Sequence, residues 1–334
     1  CIDSCLPALD ELIIVYNDCT DSSESIIREC ASKYPHKIRV YKYSALVLAN
    51  NLTEAEFQYV ISLPENSPHL LCNYYNFALS KANYSHAVKI DADQIYFTDY
   101  LKRWCDITRN GKGKKQRRKY ILGKFVFNYF RIIRKISIIS RKRVPISSFK
   151  FGKHLIDAYL HYAEIGFCKE SLTLSLSGLN VYKHSISGWF VPLGRKCDPM
   201  NILPPFNGEN DHLIFKITDK TFYKPLVSKY YNLQHTSSYS VIEEMVHPYI
   251  PINVGFCWHH LNACRMAYSQ KTEESFKKHR DSYMRINEFL NTDFKSIEKK
   301  SDKSMFTLYQ RILFSFLFEN LKTSRLYEEP TFNH

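Results

Sequence analysis

Leu12 to Tyr16 (LIIVY) is an unbroken apolar run rich in β-branched residues, the pattern of a buried parallel strand. It stops at Asn17-Asp18-Cys19-Thr20-Asp21-Ser22-Ser23, a cluster of turn and cap formers, and Glu24 to Cys30 then reads as a helix. Lys37 to Tyr41 (KIRVY) predicts a second strand, which completes a βαβ unit. Tyr74 to Ala82 predicts another helix with Asn73 as its cap. Ala87 to Ile90 predicts a third strand, closed by Asp91-Ala92-Asp93-Gln94-Ile95-Tyr96. The first hundred residues therefore read as α/β around a parallel sheet. Their polar residues gather at the strands' carboxyl ends, the edge where open α/β sheets bind ligands.

The pattern then changes. From Arg109 to Lys153 apolar and basic residues interleave, as in ILGKFVFNYFRIIRKISIISRKR. Residues 171–265 mix Pro, Gly and aromatics and predict loops and short strands. Residues 271–334 read as helical, ending in an apolar stretch, Met305 to Leu321, that suits either a core helix or a membrane contact. No internal repeat is visible. Four segments follow: 1–103, 104–170, 171–270 and 271–334.

Composition narrows the class. With 334 residues, 45% hydrophobic and 24% charged, the chain is globular and needs no disulfide scaffold. Its net charge of +13 is concentrated between Lys102 and Lys153, where 18 Lys/Arg face one acid, Asp106. A general nucleic-acid binder is therefore not the first reading. The basic segment instead suits a surface helix or hairpin on an anionic membrane surface, with a solvated insertion or RNA contact as alternatives. Ten cysteines without a CxxC pair exclude a clustered zinc site and fit a reducing, cytoplasmic setting. No apolar run of about 18 residues predicts a spanning helix, and no signal peptide opens the chain.

Asp91 and Asp93, one residue apart at a strand's end, can share one hard divalent cation that also takes diphosphate oxygens. The turn Asn17-Asp18-Cys19-Thr20-Asp21 offers side chains to a base or ribose, and the following helix N-terminus favours phosphate. Ordinary capping explains the same residue types.

Taken together, VYNDCTDSSESIIRECASKYP (15–35) and YYNFALSKANYSHAVKIDADQIYFTDYLKR (74–103) resemble a nucleotide-sugar glycosyltransferase of the GT-A fold. More narrowly they are similar to bacterial β-1,4-N-acetylgalactosaminyltransferases that extend lipooligosaccharide. The resemblance implies an α/β, GT-A-like sheet whose residues 1–103 bind a UDP-sugar donor. Residues 104–170 would be a basic insertion, 171–270 the acceptor and catalytic half, and 271–334 a helical tail. It further implies Asp91 and Asp93 as ligands of Mn²⁺ or Mg²⁺, joined by His259 or His260 from the late Cys-Trp-His-His segment. Asn17, Asp18, Asp21, Asn76 and Lys89 would contact the donor. An inverting enzyme of this kind needs one general base, for which Asp211 is the first candidate and Glu209 the second. These two follow an expected turn, Phe206-Asn207-Gly208, and precede the apolar run LIFKI. The acceptor would be a lipid-linked oligosaccharide met at the inner face of the bacterial inner membrane. Enzymes of this fold open with a strand ahead of the helix that Cys1 to Pro7 resembles, so a further strand is expected upstream. Two alternatives stay open: a UDP-galactose or UDP-glucose donor, or a non-catalytic membrane- or nucleic-acid-binding protein on the same scaffold.

Overall fold

The computed structural model describes residues 1–111, 116–139, 152–184, 187–194, 205–231, 237–261, 264, 266–300 and 307–323. The chain starts with α1 (Ile2–Cys5), β1 (Leu12–Tyr16), α2 (Ser23–Lys33), β2 (Ile38–Lys42), α3 (Glu54–Ser62) and α4 (Leu71–Leu79). It continues through β3 (His86–Val88), β4 (Gln94–Tyr96), α5 (Thr98–Asn110), α6 (Arg117–Ile139), α7 (Lys153–Cys168), β5 (Leu172–Asn180), β6 (Tyr182–His184) and β7 (Gly188–Pro192). The remainder is β8 (Phe206–Lys216), β9 (Phe222–Tyr231), β10 (Ser237–Val246), β11 (Ile250–His260), α8 (Met266–Lys278), β12 (Tyr283–Arg285), α9 (Ile286–Asn291), α10 (Phe294–Lys300) and α11 (Leu308–Thr323).

The expected βαβ unit is present: β1 and β2 pair in parallel from Leu12↔Ile38 to Tyr16↔Lys42, joined by α2. The helix expected after it is α4, but it begins after Leu70, so Asn73 is not its cap. Asn73 sits inside the helix, and its amide donates to the carbonyls of Glu65 and Ser67 instead.

The third strand departs from expectation. β3 does not extend the β1–β2 sheet; it forms one edge of a five-stranded sheet ordered β3-β8-β5-β11-β4. In that sheet β5 and β11 are parallel, while β8 and β4 run against their neighbours, so the sheet is mixed. The region expected to hold loops and short strands supplies long ones. Strands β5, β8 and β11 come from it, and all nine residues of β5 are buried. The alternating Leu and Ser/Thr of LTLSLSGLN imitate a half-exposed strand. Both faces are covered here, and the polar positions are satisfied internally: Asn253 donates to Ser177 Oγ at 2.8 Å, and Ser177 donates to the Gly208 carbonyl at 2.7 Å.

Helices α6, α7 and α11 share a core with β5 and β11. Tyr159 of α7 donates its hydroxyl to the Asn253 carbonyl at 2.8 Å. Phe316 of α11 meets Phe130 and Tyr159 edge-on. Leu313, Phe316, Leu317 and Phe318 are fully buried, so the late apolar stretch is a core helix over its described part. Each such side chain contributes about 1.5–3 kcal/mol of burial. Gly123 lets α6 lie directly on α7, since a Cβ there would collide with the Ala158 carbonyl. On the other flank, the β9–β10 hairpin packs with α3 and α4 around Leu52, Val60, Leu70, Tyr223 and Val241.

Candidate active site

The topology explains why Asp91 and Asp93 lie where they do. β3 runs in the same direction as β5 and β11, and β4 runs oppositely at the far edge of the sheet. The residues from 89 to 93 must therefore cross the sheet at the carboxyl ends of β5 and β11. Four strand spacings of about 4.8 Å make roughly 19 Å, about the reach of six extended residues. The crossing is held by its neighbours: Cys1 Sγ donates to the Asp91 carbonyl at 3.3 Å, and the Asp91 N–H faces buried Gln94 Oε1 at 3.5 Å.

At the far side of that crossing Asp93 meets His260. In the β4–β11 ladder His260 faces Gln94, and the Leu261 N–H donates to the Asp93 carbonyl at 2.7 Å. His260 Nε2 stands 3.1 Å from Asp93 Oδ2, both side chains being nearly nine-tenths buried. On the other side His260 Nδ1 lies 2.8 Å from Oδ1 of Asn180, its neighbour across the β5–β11 ladder. The Asn180 amide nitrogen donates to the Phe206 carbonyl at 3.2 Å, which turns Oδ1 toward the imidazole. With Asn180 Oδ1 on the Nδ1 side, Nε2 faces a carboxylate, and a proton or a cation lies between the two. A carboxylate oxygen suits Mg²⁺ or Mn²⁺, and the imidazole nitrogen suits the transition ion Mn²⁺ better than Mg²⁺, with Asp91 two residues away along the crossing. Among the described residues no three His, Cys, Asp or Glu gather to hold a cation by themselves, so such an ion would draw further ligands from bound oxygens. Asn180 has no counterpart in the sequence reading; it merely ends a strand, and only the ladder brings it to His260.

His259 is not part of this group. Consecutive strand residues project to opposite faces, and His259 is fully buried, edge-on to Phe97 with ring centres 4.8 Å apart. The doubled histidine thus splits into one residue beside Asp93 and one core residue.

The residues expected to contact the donor are dispersed. Lys89 is buried in an ion pair with Glu243 of β10 at 2.8 Å and lies over the Tyr75 ring, so its ammonium braces the hairpin rather than a diphosphate. Asn76 uses both ends of its amide on Tyr223, donating to its carbonyl at 2.8 Å and accepting from its N–H at 2.7 Å. Asn17 donates to the carbonyls of Tyr43 at 2.6 Å and Ala45 at 2.7 Å, fixing the turn after β1. Asp21 accepts the Ser23 N–H at 2.9 Å at the start of α2; hydrogen bonds from Ser23 hold its carboxyl below the usual range. A local bond to the first turn of α2 therefore accounts for Asp21. Asp18 is exposed with φ +36°, a left-handed conformation that presents its side chain at the turn.

A cavity of about 650 Å³ separates β1 from β3. Leu12 to Val15 form one wall, Ala87 to Ile90 the other, and Tyr74, Cys1 and Asp91 stand among its lining. Asn17, Asp18, Asp21 and Asn76 are not in that lining, which joins the apolar Leu12 to Val15 with charged groups such as Glu11, Lys89 and Arg109.

Phe206-Asn207-Gly208 is not a turn between elements but the beginning of β8, and LIFKI is the same strand continued. Glu209 and Asp211 lie in a bulge: β5–β8 pairing jumps from Gly178↔Asn207 to Leu176↔His212. Gly208 opens the bulge with φ +75°, a conformation that favours glycine. The side chains of Glu209 and Asp211 lie outside the described residues. The backbone register is informative nonetheless. Val88 pairs with Ile214 and the Lys89 N–H donates to Leu213, so the two chains run on toward Asp91 and Asp211 respectively.

Residues 1–113 match the family model described as beta-1,4-N-acetylgalactosaminyltransferase (CgtA). No curated protein matches the chain, and no solved structure does. The matched stretch contains β1, β2, β3, the crossing with Asp91 and Asp93, and β4. Over residues 1–113, then, the chain is similar to the β-1,4-N-acetylgalactosaminyltransferase (CgtA) family.

Proposed function

We propose that the chain transfers N-acetylgalactosamine from UDP-GalNAc to a galactose of a lipooligosaccharide acceptor, at the carboxyl end of the five-stranded sheet. The observation that carries this reading is the convergence of Asp93 and His260, distant in sequence, beside a family-matched Asp91-Ala92-Asp93 segment. Asp93 and His260 would hold Mn²⁺ or Mg²⁺, with Asp91 two residues away along the crossing and the remaining ligands drawn from bound oxygens. When bound, the ion supplies positive charge to the donor diphosphate. Asn180 holds the Nδ1 side of the His260 ring and so turns Nε2 toward Asp93. Asp18, exposed at the turn after β1, is the donor-turn residue left for a ribose or base contact. Asp211, or Glu209, accepts the proton of the acceptor hydroxyl as its oxygen bonds to C1 of the sugar. The bond from C1 to the phosphate oxygen breaks, and UDP leaves with inversion at C1.

The test is transfer from labelled UDP-GalNAc to a galactose-terminated oligosaccharide, with Mn²⁺ and with EDTA, alongside calorimetric titration of UDP under both conditions. Metal-dependent transfer and metal-dependent UDP binding are expected. UDP binding and turnover that ignore EDTA would remove the ion from the mechanism. Failure of UDP to bind in either condition would remove the transferase reading.

A further inference from the structure

Helix α6 has two unlike faces. Val126, Phe127 and Phe130 are buried, Phe127 against Tyr162 of α7 and Phe130 against Tyr159 of α7 and Phe316 of α11. Ile121, Leu122, Phe125, Tyr129, Ile132 and Ile136 are exposed, Phe125 at 70% and Ile132 at 57%. At about 100° per residue these six fall within an arc of about 100° that excludes the buried face. Arg117, Lys124, Arg131 and Lys135 occupy the margin next to that arc. Residues 117–139 hold seven Lys/Arg and no Asp or Glu, and the adjoining sequence adds Lys112, Lys114 and Lys115 before it and Arg141, Lys142 and Arg143 after it.

A surface helix of a globular protein ordinarily turns its polar side outward. Here the outward arc is apolar apart from Arg118 in the first turn, and its margin is cationic, a pairing that narrows the occupant. No helix among the described residues is long and apolar enough to cross a membrane. Nucleic acid would satisfy the basic margin while leaving Leu122, Ile132 and Ile136 in water. A second copy docked through the same face would set two acid-free basic helices against each other. An anionic bilayer interface offers acyl chains and phosphates together, at the depth a half-buried helix reaches.

We propose that α6 lies flat in the interfacial layer of an anionic lipid bilayer. Ile121, Phe125, Ile132 and Ile136 enter the acyl boundary, and Arg117, Lys124, Arg131 and Lys135 pair with lipid phosphates. This docking surface stands on α6 alone and is independent of the transfer reaction, so it is measured without donor or acceptor.

The experiment is co-sedimentation of the full chain with mixed phosphatidylethanolamine–phosphatidylglycerol vesicles and with phosphatidylcholine vesicles. The native chain is expected to bind the anionic vesicles at least about tenfold more tightly than the neutral ones. The exposed double variants Phe125→Ser/Ile132→Ser and Lys124→Glu/Arg131→Glu are each expected to weaken that binding at least about tenfold. Circular dichroism and melting check that both remain folded. A second readout does not depend on those variants: in Phe125→Trp, bromine-labelled acyl chains are expected to quench the new indole. Equal binding to both vesicle types, native-like binding by the serine double, or an indole left unquenched in Phe125→Trp overturns the proposal. So does light scattering that finds a dimer dissociated by the serine double, which would make a second copy the occupant.

Discussion

His260 Nε2 faces Asp93 Oδ2 across 3.1 Å, with Asn180 on the opposite side of the ring. This relationship is made at one end of the sheet by His260 of β11, Asn180 of β5 and Asp93, the last residue of the crossing before β4. Asp93→Asn removes the charge while keeping the shape, and His260→Gln removes the imidazole. Each is expected to lower transfer by about 10²–10³-fold, the scale of losing a group aimed at developing charge. Steady-state kinetics at saturating donor, beside a melting curve, checks this. Turnover within threefold of native in either variant would remove the pair from the active site.

Lys89 and Glu243 form a buried ion pair that ties the end of β3 to the β9–β10 hairpin. Removing one partner leaves a charge in a poorly solvated place, so Lys89→Met alone is expected to cost about 3–5 kcal/mol. The double variant Lys89→Met/Glu243→Leu should recover most of that loss, because no charge is then stranded. Denaturant unfolding of the two singles and the double measures the coupling. Additive singles would show that the pair does not act as a unit.

Gly123 stands where α6 meets the backbone of α7. In an open helix Gly→Ala gains about 1 kcal/mol. Here the added methyl meets a carbonyl oxygen, which cannot swing aside as a flexible side chain would, so Gly123→Ala is expected to destabilise by about 1–3 kcal/mol net. A lowered denaturation midpoint confirms this; an unchanged or raised one refutes it.

Burial lowers the imidazole pKa of His86 and of His247 from the usual histidine value, with Lys216 adding to the effect at His86. His247 Nδ1 also accepts the Tyr249 N–H at 3.2 Å, a bond that protonation at Nδ1 would end. The unfolded chain thus binds protons more readily than the folded one. The stability these groups contribute is complete above about pH 6.5 and is lost as the pH falls through their lowered folded values. Melting temperature is expected to drop on acidification below that point, and His247→Gln should flatten the drop. An identical pH profile in the variant would exclude His247 as a source.

Much of the first hundred residues was legible because its signals are short-range. LIIVY and KIRVY are apolar runs bounded by turn formers, and both are strands of the parallel pair they predict. Asp21 accepts the Ser23 N–H at the start of α2 by a bond two residues long. Elsewhere the local signal misled. LTLSLSGLN alternates as if half-exposed, yet α7 and neighbouring strands cover it completely. Lys89 sits in a segment that resembles a donor-binding motif, but its partner is Glu243, far along the chain, which no window around Lys89 contains. The same holds for Asn76 and Tyr223.

Residue pattern alone therefore settles the βαβ start, the position of Asp91 and Asp93 after a strand and the basic, acid-free composition of residues 117–139, all of which depend on neighbours within a few turns. Three further features depend on long-range pairing. One is which of two adjacent histidines joins Asp93; another is whether Lys89 meets a ligand or an acid; the third is which side of α6 is left to solvent. Strand alternation sends His259 and His260 to opposite faces, but only the pairing of β11 with β4 and β5 says which face holds the carboxylate. Likewise α6 is apolar on more than one side, and the packing of α7 and α11 against Phe127 and Phe130 is what leaves Phe125 and Ile132 outside. Hydrophobic burial is non-directional, so a pattern with apolar residues on two sides of a helix does not choose between them until a partner covers one.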